Sequence, residues 1–391
     1  MRTLPALPLL ALVGLASCAV YGADIDLGSK ERVTALFSYP NAGHADQTLE
    51  QTVALWITSS LKRDGFPNSP LEVFPDGDHY TARISGAQTP AIEAFRENYE
   101  AFLSIGDLGL AAFNQFQQSG KGSPAWRFLL PLGEAMGNAK TIEIMDFPPI
   151  TLLNTQDYLL SKTTHRWKSL LSVNGVADGD LDLYSCILDI IPVAAPAGDG
   201  TKLTNSGAYN GPFNSYTMPL FATWGKKPGT TLANPLLAFG APIRAWFKLN
   251  FNVDIPVLGL AQVTLPDGTK ANVLGANHPS YFFYAMRSAS PPNAQAKDIA
   301  IAFKVMQQDL IASDWQAQMG ANPTGDPAQA LAAATAKWMA RDDQVLALTI
   351  EQGDFLKPGM AVTKLDKSLI PSDRDLAALE NSMAIDAHLE K

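Results

Sequence analysis

Cysteine is nearly absent: 391 residues carry two, Cys18 and Cys186. If Cys18 is modified or removed on export, Cys186 has no partner and no intrachain disulfide forms. Charge is scarce as well, at 17% of residues, and leans acidic, with 29 Lys+Arg against 38 Asp+Glu and a net charge of -9. No basic tract occurs, and binding to nucleic acid rests on phosphate neutralisation, so nucleic acid is not an expected partner. After Leu15 no apolar run approaches the roughly 20 residues that a membrane-crossing helix needs, so the body is expected outside the bilayer.

Familiar catalytic strings are missing too. There is no G-x-S-x-G elbow for a serine hydrolase and no G-x-G-x-x-G or P-loop for a nucleotide cofactor. The five histidines, His44, His79, His165, His278 and His388, are scattered, with no two at a metal-ligand spacing. No cofactor and no metal are therefore expected.

What is present begins at the N-terminus. Met1-Arg2-Thr3 is short and positive, Leu4 to Leu15 is apolar, and Leu15-Ala16-Ser17-Cys18 follows. A charged start, a short apolar core and small residues make a secretory signal peptide. The last four residues match the lipobox of bacterial lipoproteins, in which the cysteine is lipidated and becomes the new N-terminus. The expectation is a signal peptide over 1–18, a lipid anchor on Cys18 and an address in the periplasm or outer membrane, Ala19 weakly favouring the latter. An ordinary cleavage after Ala19 or Gly22 stays open, since small residues precede both.

Residues 19–45 read as a tether, and 46–391 as one main domain with its core over 125–290. A first helix is expected from Asp46, its N-cap, to Lys62, and a second opens at Thr89-Pro90 with Ile92, Phe95, Tyr99, Phe102 and Leu103 on one face. Three short apolar runs, Trp126 to Leu132, Leu181 to Val193 and Pro235 to Phe239, look like central parallel strands. Helical stretches at roughly 150–172 and Ala241 to Phe247 separate them. Ala261 to Leu265 and Ala271 to Leu274 flank Pro266-Asp267-Gly268-Thr269, a hairpin signal. Further helices follow over Gln295 to Gln318, from Asp326-Pro327 to Arg341, and over Ser372 to Leu389. The expected fold class is α/β: a largely parallel central sheet with helices on both faces, one hairpin, and helical N- and C-terminal segments.

The most informative string is Gly275-Ala276-Asn277-His278-Pro279-Ser280-Tyr281, directly after an expected strand. Pro279 fixes its own backbone and holds His278 extended, which suits a histidine that meets a ligand. The simpler reading is a turn that contains a histidine. A second candidate is the long segment Ala194 to Lys227. Its rings Tyr209, Phe213, Tyr216, Phe221 and Trp224, set among Gly, Asn and Ser, suit either a carbohydrate-type surface or a loop anchored on the core. Cys186 sits in an apolar run and reads as a buried, inert thiol.

Taken in order, Leu132-Gly133-Glu134-Ala135-Met136-Gly137-Asn138, Ile187-Leu188-Asp189-Ile190-Ile191-Pro192, Leu236 to Phe247 and His278-Pro279-Ser280 resemble the uracil-DNA glycosylase superfamily over about 125–290. The resemblance implies a water-activating loop at Glu134 and Asn138, and base stacking on Phe147. It implies oxyanion stabilisation by His278 and a phosphate contact at Ser280. Met136 stands where that family has proline, and the acidic balance and export signal depart from a DNA-repair enzyme. Candidate catalytic residues are thus Glu134, Asn138 and His278, and candidate ligand-binding residues Phe147, Asn277, Ser280 and Tyr281.

Three functions fit. One is an envelope protein that binds a small-molecule or protein ligand. Another is an envelope hydrolase with a Glu134/His278 site at the carboxyl ends of the strands, where open α/β sheets place ligands. The third is a glycosylase acting on N-glycosidic bonds.

Overall fold

A computed structural model describes residues 22–42, 47–86, 88–131, 133–135, 137–146, 162–196, 199–224, 232–285, 294–353 and 365–380. Cys18, Asp46, Phe147, and the expected helical stretches 150–161 and 381–389, lie outside them.

The expected tether is part of the fold. Ala23–Ser29 forms strand β1, and Lys30–Ala42 forms helix α1. Alternation explains the strand: Ala23, Ile25 and Leu27 are buried while Asp24 and Asp26 face outward. β1 pairs antiparallel with β3 (His79–Ile84), which pairs antiparallel with β2 (Leu71–Asp76).

Helix α2 runs over Leu49–Arg63, and its N-cap is Thr48, with a reciprocal capping box to Gln51. Helix α3, Pro90–Gln118, starts at the expected Thr89 cap and buries the expected face, Ile92, Phe95, Tyr99, Phe102 and Leu103.

A five-stranded sheet forms the centre. Its strands are β5 (Ile142–Met145), β6 (Cys186–Asp189), β8 (Leu236–Phe239), β9 (Leu260–Thr264) and β10 (Lys270–Ala276). Their order is β6-β5-β8-β10-β9, parallel except for β9, which pairs antiparallel with β10 through the expected hairpin. Gly268, at φ +83°, supplies the left-handed residue that this turn requires.

Over its described residues, 126–131, the Trp126 to Leu132 run is not a central strand: β4 (Arg127–Phe128) forms there, paired with β7 (Val193–Ala194) in a separate ribbon. The run is apolar because Trp126, Phe128 and Leu130 pack extended into the core. The first central strand is β5 instead, whose Glu143 breaks the apolar pattern.

Helices cover both faces, so the fold is α/β as expected. Leu236, Ala238 and Val273 face a cluster that includes α3, α5 (Asn214–Thr223) and α6 (Gly240–Phe251). Leu237, Phe239, Leu274 and Ala276 face α4 (Lys162–Val173), α7 (Ala294–Ala321), α8 (Pro327–Met339) and α9 (Asp342–Gln352). Residues 373–380 form a last described helix, α10.

The expected loop from Ala194 holds α5, and Phe213, Tyr216, Phe221 and Trp224 are all buried. They anchor this segment on the core rather than forming a sugar-binding surface. Among the described residues no helix is long and apolar enough to cross a membrane.

Candidate functional site

The chain runs from β5 to β6 on one side, then returns to β8 on the other side of β5. The strand order therefore reverses between β5 and β8, and ligands of open α/β sheets sit outside the carboxyl ends at such a point. Register puts these ends level. Met145 pairs with Asp189, Ile144 with Ala238, and Ala276 with Phe239. Asp146, Gly240 and Asn277 thus lie one residue beyond a common row, with His278 next.

His278 stands half-buried past the tip of β10. Its Nδ1 lies 2.5 Å from Ser280 Oγ, and the Ser280 backbone N–H donates to the same nitrogen at 3.2 Å. A backbone N–H only donates, so Nδ1 is an acceptor and the neutral ring carries its proton on Nε2. His278 is thereby a hydrogen-bond donor through Nε2. Gly240, at φ +82°, makes the sharp step from β8 into α6, and a Cβ there would come within 3.3 Å of His278 Cβ. Only glycine allows this step and this approach together.

The His278 loop is braced from behind by buried groups. Arg166 Nη1 donates to Pro279 O at 3.2 Å and pairs with Asp309 at 2.8 Å, and its guanidinium lies 4.3 Å from the Phe282 ring centroid. Asn277 Nδ2 donates to Gln308 Oε1 at 3.0 Å and to Asp309 Oδ1 at 3.1 Å. Burial pushes the Asp309 carboxyl up to about 6 against the opposing pull of Arg166. Tyr281 donates its hydroxyl to Leu376 O at 3.3 Å. Asn277 and Tyr281, expected to bind ligand, are buried with these polar atoms engaged inside the protein. Ser280 is buried too, with its hydroxyl on His278. These three shape the loop that presents His278.

The acidic side lies at the tips of β5 and β6. Asp146 is half-buried, Asp189 is buried, and both carboxylates act on the phenol of Tyr209. Burial, reinforced by the two negative charges, drives the Tyr209 hydroxyl well above its ordinary range. Sequence reasoning passed over Asp146 and Asp189 as candidates. A signal existed: each is the acid that ends a short buried strand, in Ile142-Glu143-Ile144-Met145-Asp146 and Cys186-Ile187-Leu188-Asp189.

Glu134 and Asn138 are elsewhere. Glu134 Oε2 pairs with Arg63 at the end of α2, both side chains buried. Asn138 donates to Asp64 O at 2.7 Å, and the Asp64 carboxylate accepts from the Gly137 and Asn138 amides. Lys140 N–H donates to Leu183 O, just before β6, and Asn234, just before β8, donates to Ala139 O. This loop therefore runs under the amino ends of the strands. His278 is at the carboxyl ends, about 13 Å away along a four-residue strand. The structure does not bring Glu134 and His278 together, and the water-activating role that the resemblance implies for Glu134 has no counterpart near His278. Burial raises the Glu134 carboxyl while Arg63 holds it down.

Cys186 is buried at the start of β6, its thiol donates to Asp182 O at 3.3 Å, and burial raises its pKa well above the ordinary value. The thiol is buried, as expected. Among the described residues no three His, Cys, Asp or Glu side chains are grouped to hold a metal ion. Compared with known proteins, the chain matches no family model, and no curated protein or solved structure matches it either.

Proposed function

We propose that this is an exported protein, held to the membrane through Cys18, that binds a small polar ligand at the carboxyl ends of its central sheet. One observation carries the reading. Asp146 and Asp189 with Tyr209 on one side, and the Nε2 donor of His278 on the other, flank the point where the strand order reverses. Carboxylates accept from hydroxyl, amine or amide groups, and His278 donates to an oxygen. Such a pair of edges suits a ligand rich in hydrogen-bonding groups. The brace behind the His278 loop supports binding, because a preorganised donor loses little freedom when a ligand arrives.

The anchor belongs to the same reading. Processing at Cys18 leaves β1 whole, since that strand starts at Ala23. Residues 19–22 then reach at most about 15 Å, so the body stands close to the bilayer.

The test is a thermal-shift screen of soluble protein starting at Ala19 against amino acids, sugars, nucleosides and their phosphates. A stabilising ligand whose effect disappears in His278→Ala and Asp146→Asn supports the site. Stabilisation that survives both substitutions, or no stabilisation across the panel, rejects it. For the anchor, Cys18→Ala moves the protein from the membrane to the soluble fraction of cells. Unchanged fractionation rejects lipidation.

A further inference from the structure

Helix α10 crosses the end of the sheet beside this site. Arg244 stands one turn into α6, on the opposite face of the sheet from α7, α8 and α9. Its Nη1 donates to Ala276 O, the last residue of β10, at 3.0 Å. Its Nη2 pairs with Glu380 at 2.5 Å, with side-chain exposures of 11% and 6%. Glu380 belongs to α10, whose Leu376 packs in the core cluster of the other face. The Arg244–Glu380 pair therefore ties the two helical layers together around the tip of β10, next to Gly240 and His278.

Over its described residues, 373–380, α10 is attached lightly. Within 372–380 only Leu376 and Glu380 are buried. Polar contacts join them: Asp373 accepts from Gln308 at 3.1 Å and pairs with Lys304 at 2.9 Å, and Leu376 O accepts from Tyr281. A segment that buries so little apolar surface over its described residues opens at low cost compared with the core. A buried ion pair contributes little net stability, while a buried cation left alone is costly. Arg244 thus needs a carboxylate-like partner, and Glu380 is an exchangeable one.

We propose that Arg244 is the anion-recognition residue of the site, with Glu380 occupying it until a ligand's carboxylate or phosphate takes its place and releases α10. This rests on the carboxyl-end site proposed above and narrows its ligand. The strand tips run from acidic Asp189 and Asp146 to basic Arg244, so the favoured ligand carries donor groups at one end and an anionic head at the other. No covalent step is involved.

The probes are inorganic phosphate and acetate, added to the protein starting at Ala19, with sodium chloride of equal ionic strength as control. In the unaltered protein, hydrogen exchange of amides 373–380 quickens with phosphate or acetate and not with chloride. By calorimetry Glu380→Gln binds phosphate about tenfold more tightly, because the competing carboxylate is gone, and Arg244→Gln does not bind it. The exchange experiment needs no substitution, so it stands even if a variant folds poorly. Unchanged exchange at 373–380, or the same quickening with chloride, overturns the proposal. So does a folded Glu380→Gln protein with no gain in affinity. If thermal stabilisation by a ligand still depends on His278 and Asp146 in that event, the site survives and only the role of Arg244 falls.

Discussion

Glu143 sits in the middle of β5 with its carboxyl accepting from Ser185 Oγ and Gln316 Nε2, each at 3.0 Å. Burial pushes its pKa up to about 8 from the ordinary glutamate value of 4.5. Between those values the folded state holds a proton that the unfolded chain has released. Stability therefore falls as pH rises through this window and levels off above about 8. Glu143→Gln imitates the protonated acid and removes this slope, making the variant more stable than the parent above pH 8 by a few kcal/mol. Urea unfolding across that pH range checks it, and parallel curves for the two proteins contradict it. Arg63 and Glu134 form the other buried test at this end of the sheet. Arg63→Met leaves a buried carboxylate unpaired and costs about 3–5 kcal/mol, much of which Glu134→Leu in the same chain restores. Equal urea midpoints for the parent and Arg63→Met contradict a buried pair. Glu143 also shows why β5 was hard to read. An ionisable residue at its second position made the segment look unlike a buried strand, and it is tolerated there because burial keeps the carboxyl protonated and Ser185 and Gln316, both distant in sequence, bond it.

At the scale of elements, local signals served well where physics is local. The Thr89-Pro90 start of α3, the Asp326 cap of α8 and the Asp267-Gly268 turn were all visible, because caps and turns are set by neighbouring residues. Position in the fold was less legible. Trp126 to Leu130 carries the apolar content of a central strand, yet it serves an aromatic cluster with Phe113, Phe116 and Tyr216. The Gly- and Asn-rich composition around 205–214 hid helix α5, whose rings are ordered by burial rather than by helix propensity. The segment 23–42 was passed over because a seven-residue strand with small and acidic residues carries a weak signal. Its burial has a consequence. A chain starting at Asp46 lacks β1 and uncovers the β3 edge and the face against α3. It fails to give a cooperative thermal transition, whereas a chain starting at Ala19 melts cooperatively. Equal melting curves for the two would return 23–42 to the role of a tether.

For the whole molecule, the parallel sheet separates two polar clusters. Glu134, Arg63, Asp182 and Lys168 gather at the amino ends, and Asp146, Asp189, His278 and Arg244 at the carboxyl ends. Half of the site was legible in the sequence. His278 was readable because Pro279 stiffens the loop that carries it. Glu134 was drawn in by the order of motifs, whereas the described part of the run before it pairs outside the central sheet. The acids at the tips of β5 and β6, and the Arg244–Glu380 tie, depend on pairings across 136 residues and across parallel strands, which no local window contains.

The central claim is that ligand is held at the carboxyl ends. Hydrogen exchange with and without the best-stabilising ligand from the thermal screen tests it most directly. Protection is expected at 146, 189–191, 240–244 and 276–281, with 133–143 unchanged. Protection confined to 133–143 and the adjoining end of α2 would place the ligand at the opposite end of the sheet and contradict the account.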